Sequence, residues 1–395
     1  MELCEHSKCT GCGTCSVVCT HKAISFKTDS LGFRYPEIDT LKCVDCGLCK
    51  ARCPSISPVK REIDNDCYLA WAKDDVIHYE SSSGGIAFLL QRYIIERDGY
   101  SVGCVWDADF NARLVVINHN DELVKTIGSK YVQSYIADET WNEIEERDKK
   151  GQKGIFIGLP CQVAAVKSFT NGSSNILFVD LLCHGGCSPF CLKAHLACLQ
   201  NEKKSQPITD VRFRGGKYDC KMTLWSEASM IYKGGQFTDK YFYSFMKHGL
   251  FQESCYQCQY ANSERLSDIT LADFWGVDQE FIKGKHKMNG ANLVLIHSDA
   301  GRNYWNAIKE KTEYYKRPFE EAMLGNDTLR EPTFPPADRE RLLSLIGSVG
   351  FEKAVSYDNQ YKRNIRNMRM GYAVKMLKKI MPRAIFDFLK REFAK

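Results

Sequence analysis

No stretch at the amino terminus of this 395-residue sequence has the charged, apolar, small-residue pattern of a secretory leader. No apolar run approaches the roughly 20 residues that a helix needs to cross a bilayer. The longest candidates, Ile86–Leu90 and Ile176–Cys183, suit core elements. Two phosphate-binding signatures are also missing: no G-x-G-x-x-G follows a strand-like run, and no G-x4-G-K-[ST] occurs. These absences argue against a membrane span, a dinucleotide site of the usual fold and a P-loop ATPase. The expectation is a cytoplasmic chain of two or three domains with a sizeable core. At 44% hydrophobic residues, disorder is not the default.

Cysteine, by contrast, is abundant, with 19 residues. Without a leader, a disulfide framework is a poor reading, and thiols committed to metal are the better one. Eight of them fall in two matched runs: Cys9, Cys12, Cys15, Cys19, and then Cys43, Cys46, Cys49, Cys53 followed by Pro54. Both runs read C-x2-C-x2-C-x3-C, the bacterial ligand spacing for [4Fe–4S] clusters, in which the fourth cysteine ligates the other cluster. Cys9, Cys12, Cys15 and Cys53 would hold one cluster, and Cys43, Cys46, Cys49 and Cys19 the second. Zinc knots favour two separated pairs over triplets with a trailing fourth ligand. Cys4 lies outside the pattern and reads as a spare thiol. Residues 1–60 are thus expected to form a two-cluster electron-transfer module, with a hairpin-like link at Leu31–Ile38 and a linker at Ser55–Asp66.

From Cys67 onward, strand-like and helix-like runs alternate. Tyr68–Ala72, Tyr100–Trp106, Ala112–Asn118, Gly154–Ile157, Ile176–Leu182 and Asp268–Phe274 read as strands. Ile86–Arg97, Asp138–Lys149 and Gln162–Phe169 read as helices. Ser81–Gly85 opens the first helix, where free N–H groups and the dipole suit a phosphate, although simple capping fits equally well. Gly154–Leu182 is a strand–helix–strand unit, which normally makes two parallel strands. Cys161 and Cys183 follow the carboxyl ends of those strands, where open α/β sheets bind ligands. With the loop pair Cys255 and Cys258 they could make a third [4Fe–4S] site. The same residues also suit buried small hydrophobes, or zinc with His184. Cys187, Cys191 and Cys198, at helical spacing, read as core or surface thiols.

Six ordered motifs then resemble one family: SSSGG (81–85), GSKYVQS (128–134), GLPCQV (158–163), DLLCHG (180–185), CYQCQY (255–260) and DITLADFWG (268–276). Over residues 1–300 the chain is similar to the beta subunit of coenzyme F420-reducing hydrogenase/dehydrogenase. The resemblance implies an FAD held beside the third [4Fe–4S] cluster, with Ser82, Ser83, Gly84 and Gly85 near its phosphates. It also implies that Lys130, Tyr131 and Gln133 line the flavin site. Leu159 stands where many relatives carry Thr. Candidate catalytic groups are Lys130, for reduced flavin, and Tyr131 or His184 as proton donors.

The resulting fold class is α/β with α+β: a bacterial 2[4Fe–4S] ferredoxin-like module (1–60), an α/β FAD/[4Fe–4S] reductase domain (61–335) and a helical, basic tail (336–395). Residues 359–395 hold 11 Lys/Arg and 2 Asp/Glu, so the tail alone is +9 while the whole chain is +5. Ile365, Met368, Tyr372, Met376 and Ile380 recur at helical spacing until Pro382. That face suits packing on the protein itself, an anionic membrane surface (peripheral, at the inner face) or an acidic partner. No module for nucleic acid accompanies the charge. The expected function is an iron–sulfur flavoprotein oxidoreductase linking a soluble carrier, ferredoxin or deazaflavin, to a two-electron substrate. Small molecules, pigments and saccharide-related compounds all suit that substrate. The alternative is an electron-transfer subunit that serves a separate catalytic protein.

Overall fold

The computed structural model describes residues 3–59, 66–202, 207–214, 220–278, 281 and 290–380. Half of the expected linker (60–65), and the tail from 381 with Pro382, lie outside the described residues. Strands β1 (Ile24–Thr28) and β2 (Arg34–Ile38) pair antiparallel between the two cysteine runs. Asp29 makes their turn, its Oδ1 accepting the Leu31 and Phe33 N–H groups at 2.9 Å. The link expected at 31–38 is therefore a turn plus the second strand, with the first strand lying before it. Short helices at Thr14–Val17 and Leu48–Ala51 sit inside the cysteine runs. Each is opened by a glycine at positive φ, Gly13 at 100° and Gly47 at 73°, which a residue with a Cβ rarely adopts.

Next come β3 (Asp66–Ala72), β4 (Tyr100–Trp106), β5 (Ala112–Ile117), β6 (Tyr135–Ile136), β7 (Gly154–Gly158) and β8 (Ile176–Leu181). A separate antiparallel sheet is built from β9 (Asp210–Arg212), β10 (Lys221–Ser226) and β11 (Ser229–Gly235). The chain then returns with β12 (Ile269–Asp273), β13 (Asn292–Ile296) and β14 (Thr312–Lys316). Nine strands form one mixed sheet in the order β14-β3-β13-β12-β8-β7-β4-β5-β6. Its centre is parallel, with β4, β7, β8 and β12 running together, and both flanks contain antiparallel pairs. Covered on both faces, the central strands are buried throughout β7 and nearly so in β8, so they read as continuous apolar runs without alternation. Carboxyl ends of β7, β8 and β12 share one edge, and the chain's chemistry gathers there.

The helix after β7, Pro160–Phe169, begins two residues before the expected start. Pro160 suits the first helical position, and the Gln162 Oε1 accepts the Leu159 N–H at 2.9 Å. This puts Cys161 in the first helical turn. Helix Asp75–Glu80, unforeseen because it is short, is capped by Asp74. Around the small sheet, helices Pro189–Glu202, Lys240–Met246, Arg339–Val349 and Phe351–Ser356 enclose a core containing Phe213, Tyr241, Phe242, Phe251 and Phe351. Cys187 and Cys191 are buried in it. Leu342, Ile346, Ala354, Val355 and Tyr361 join the same core, so residues 339–361 are built into the body. In helix Asn359–Ile380, Tyr361 is buried and Ile365 half-buried, whereas Met368, Met370, Tyr372 and Met376 are exposed. Contact with the body is thus confined, among the described residues, to that helix's first two turns. No helix among the described residues is long and apolar enough to cross a membrane.

Candidate functional site

Within the N-terminal module the thiols separate into two neighbourhoods. Cys9, Cys12, Cys15 and Cys53 lie beside one another, and Cys49 lies beside Cys19 and Cys46, with Cys43 in the same loop as Cys46. Cys4 is not remote: it sits against Cys53 and Cys12. Burial pushes the Cys9 and Cys53 thiols up to about 12, and neighbouring thiols add to the shift. A buried thiol of this kind is a poor nucleophile and ionises readily only when a metal takes the proton's place. Their chemistry suits cluster ligation, not covalent catalysis.

At the sheet edge, Cys161, Cys183, Cys255 and Cys258 line a single cavity with His184, Gln133 and Arg265. Six segments converge to make it: Thr10 of the N-terminal module, the loop 128–134, the helix after β7, the turn after β8, the segment 252–265 and the segment 328–333. Burial raises the Cys161 thiol well above its usual range, and Cys183, Cys258, Cys255 and Cys12 add to the effect. The thiols stand on the cavity walls. Among the described residues, no three His, Cys, Asp or Glu side chains converge on a point where a lone metal ion could sit. Cys161, Cys183, Cys255 and Cys258 are the side chains of this cavity that could hold a metal centre. The Cys255 Sγ accepts the Gly186 N–H at 3.3 Å, a bond that stabilises a thiolate. Behind the cavity, the Arg265 Nη2 donates to the Asp180 Oδ2 at 2.7 Å, and both side chains are almost fully buried. His184 is exposed at the mouth, its ring stacked 6.2 Å from that of His248. Burial and the His184 ring bring the His248 pKa down to about 4, so His248 is neutral at physiological pH.

Four glutamine side chains attach the N-terminal module to this cavity. Gln252 donates to the Cys9 carbonyl at 3.0 Å, Gln257 to the Ser7 carbonyl at 3.1 Å, Gln259 to the Pro54 carbonyl at 3.0 Å and Gln133 to the Thr10 carbonyl at 3.4 Å. Three of the four come from the segment that carries Cys255 and Cys258. Arg52 and Ser168 add a reciprocal pair, Nη1 to the Ser168 carbonyl at 2.7 Å and Ser168 Oγ to the Arg52 carbonyl at 2.8 Å. Cys9, Cys12, Cys15 and Cys53 therefore face inward, and Cys12 reaches the neighbourhood of Cys161.

A second constellation lies along the same edge. Ser82 Oγ accepts the Ser129 N–H at 2.7 Å, which ties SSSGG to GSKYVQS. The Arg214 Nη2 donates to the Ser82 carbonyl at 2.9 Å, and its Nη1 donates to the Asp273 Oδ2 at 2.8 Å and to the Tyr131 hydroxyl at 3.4 Å. Tyr131 stacks on Phe245 with centroids 4.4 Å apart. Ser83 Oγ is buried and has no hydrogen-bond partner among the described residues. A Cβ on Gly84 would come within 2.4 Å of the Ala70 carbonyl, and Gly85 opens helix Ile86–Ile95 at φ 83°. Only glycine fits at both positions. Lys130 turns another way: its ammonium lies 6.0 Å from the Trp106 ring, near Cys104, and burial lowers its pKa.

The expected flavin residues therefore divide. Ser82, Ser83, Gly84, Gly85 and Tyr131 share one neighbourhood, Lys130 borders Trp106, and Gln133 belongs to the four-cysteine cavity. Sequence reasoning missed Arg214, Asp273 and Arg265. Asp273 lies within the DITLADFWG motif, whereas Arg214 is placed by partners 59 and 132 residues away, and Arg265 joins nearby Tyr260, Asn262 and Thr270 to Asp180, 85 residues away.

Residues 151–322 match the family described as the C terminus of the coenzyme F420 hydrogenase/dehydrogenase beta subunit, and residues 8–56 match the 4Fe-4S dicluster domain. A coenzyme F420-dependent sulfite reductase of Methanocaldococcus jannaschii is 29% identical over 175 residues, covering 42% of this chain and 26% of that protein. The matched region thus spans about a quarter of that relative's length. A chain of the F420-reducing [NiFe] hydrogenase complex of Methanosarcina barkeri, from a xenon-derivatised structure, superposes with a TM-score of 0.46 at 17% identity, over 82% of this chain and 94% of the other. Behind a 4Fe-4S dicluster domain at residues 8–56, residues 151–322 thus carry a domain that matches the coenzyme F420 hydrogenase/dehydrogenase beta subunit family.

Proposed function

We propose that this protein is an iron–sulfur flavoprotein oxidoreductase whose two N-terminal clusters serve a third [4Fe–4S] centre and an FAD in the α/β domain. One observation carries the reading: four cysteines from three separate segments line one cavity, and the dicluster module is hydrogen-bonded against that cavity. Clusters supply single-electron transfer, and a flavin supplies two-electron chemistry.

The chain's own residues fit those groups. Cys161, Cys183, Cys255 and Cys258 would hold the cubane, with the buried Arg265–Asp180 pair beside them. Ser83, whose hydroxyl has no partner among the described residues, the glycine cradle at 84–85, the helix N-terminus and Arg214 suit the flavin's phosphates. Asp273 orients the Arg214 fork, and Tyr131 is positioned by the same guanidinium. Lys130, held in a poorly hydrated wall, suits a group on which negative charge develops. His184 stands at the cavity mouth, where desolvation lowers its pKa and so favours release of a proton toward substrate. Kinship with an F420-linked family supports a deazaflavin as the two-electron partner.

Anaerobic purification with iron and flavin analysis tests the reading. About twelve irons and one FAD per chain are expected. About eight irons without flavin would overturn it in favour of a carrier subunit.

A further inference from the structure

The glutamine contacts orient the module: the Cys9, Cys12, Cys15 and Cys53 side is turned toward the body. Its opposite side, the loop Cys43–Cys49 with Cys19, is turned outward, and Cys46 is exposed. Single exposed apolar side chains are ordinary on a protein surface, but that loop displays three close together in sequence. Leu41 is 96% exposed, Val44 59% and Leu48 37%, all within eight residues of one ligand loop. The display is rigid: the Asp39 Oδ1 accepts the Leu41 N–H at 3.0 Å, and the Asp39 carbonyl accepts the Lys42 and Cys43 N–H groups. Around the patch stand exposed Lys22, Lys42 and Lys50, against Asp39 (bridged to Lys42 at 3.2 Å) and Asp45. The rim thus carries more positive than negative charge.

An apolar centre with a charged rim is the anatomy of a small, transient protein interface. Lying over the ligand loop of an outward-facing centre, it gives a partner the shortest approach for an electron. We infer that Leu41, Val44 and Leu48, rimmed by Lys22, Lys42 and Lys50, form the docking surface for an acidic, soluble one-electron iron–sulfur protein. This rests on the proposed reading that the module feeds the α/β domain. In the exchange the reduced carrier loses one electron and the centre held by Cys19 and Cys43–Cys49 gains it. No bond is made or broken and no proton moves. The direction reverses when the potentials do.

The experiment uses the intact holoprotein, a reduced acidic 2[4Fe–4S] ferredoxin as probe, and dithionite as a small reductant that needs no docking. Leu41→Glu with Val44→Glu should slow reduction by ferredoxin about tenfold, because two central apolar anchors are lost and acidic charge is added. Reduction by dithionite should stay unchanged. Carbodiimide cross-linking should join ferredoxin carboxylates to Lys42 or Lys50 in the parent protein and fail in the double variant. Raising salt from 0.05 to 0.5 M, values chosen to span the screening range, should slow only the ferredoxin reaction. Equal ferredoxin rates in parent and variant, with cross-links elsewhere, would overturn the docking surface. Failure of dithionite to reduce anything beyond the two N-terminal clusters would instead count against the proposed function.

Discussion

At the residue scale, single side chains at the sheet edge make distinct predictions. Cys255→Ala removes one wall of the four-cysteine cavity, so iron content should fall by about four per chain while the N-terminal clusters persist. Iron analysis with electron paramagnetic resonance separates the two populations. His195 offers a pH test remote from the redox centres. Its ring is buried between Asp239, 2.8 Å from Nε2, and Glu352, 2.6 Å from Nδ1. Burial alone would lower its pKa, but the two carboxylates win and raise it to about 9. A group whose folded pKa exceeds its unfolded value stabilises the fold fully below about 6.5 and loses that contribution as pH rises through about 9. The loss should be on the order of 3 kcal/mol. Thermal melts at pH 7 and pH 10 should show it in the parent and not in His195→Gln, which is destabilised at both.

At the scale of elements, the informative junction is between the dicluster module and the segment 252–259. Gln252→Leu leaves the Cys9 carbonyl without its donor, at a cost of about 1 kcal/mol. Amide exchange at residues 8–12 should quicken, while exchange in the central strands β7 and β8 stays slow. An unaltered exchange rate at 8–12 would mean that the carboxamide contacts do not hold the module. The helix Pro160–Phe169 plays a second role here: it presents Cys161 in its first turn and carries Ser168, which meets Arg52, near its end. One helix therefore supplies both a wall of the cavity and a support for the module.

At the scale of the whole molecule, the carboxyl-terminal third is divided between core and surface. Removing residues 366–395 takes away side chains that are exposed wherever they are described, so the melting temperature should hold within a degree or two of the parent. Removing residues 339–395 deletes Leu342, Ile346, Phe351, Ala354, Val355 and Tyr361 from the core. At about 1.5–3 kcal/mol for each large apolar side chain, that loss rivals the whole stability of a typical domain, and the shorter protein should fail to fold. Circular dichroism on the two truncations distinguishes the cases.

Much of this architecture was legible in residue order because its causes are local. Ligand spacing in the cysteine runs needs only a few residues of chain, and continuous apolar runs at β7 and β8 follow from burial on both faces. Parallel pairing of those strands follows from the helix between them. Other features were decided only by tertiary structure, because their causes join distant segments. Gln133 sits among the four cysteines and not beside Ser82, since its side chain reaches across to the Thr10 carbonyl. Arg214 becomes part of a site only when Ser82 and Asp273 arrive from opposite ends of the domain. Residues 339–361 read as tail because their apolar positions are interspersed with charge and run on into the strongly basic segment 359–395. They are core because a small sheet and two helices, formed more than 90 residues earlier, leave a surface for them to cover. Sequence by itself determined which chemistry this protein can hold; the fold decided which way each centre faces, because facing is a property of contacts between segments and not of any one of them.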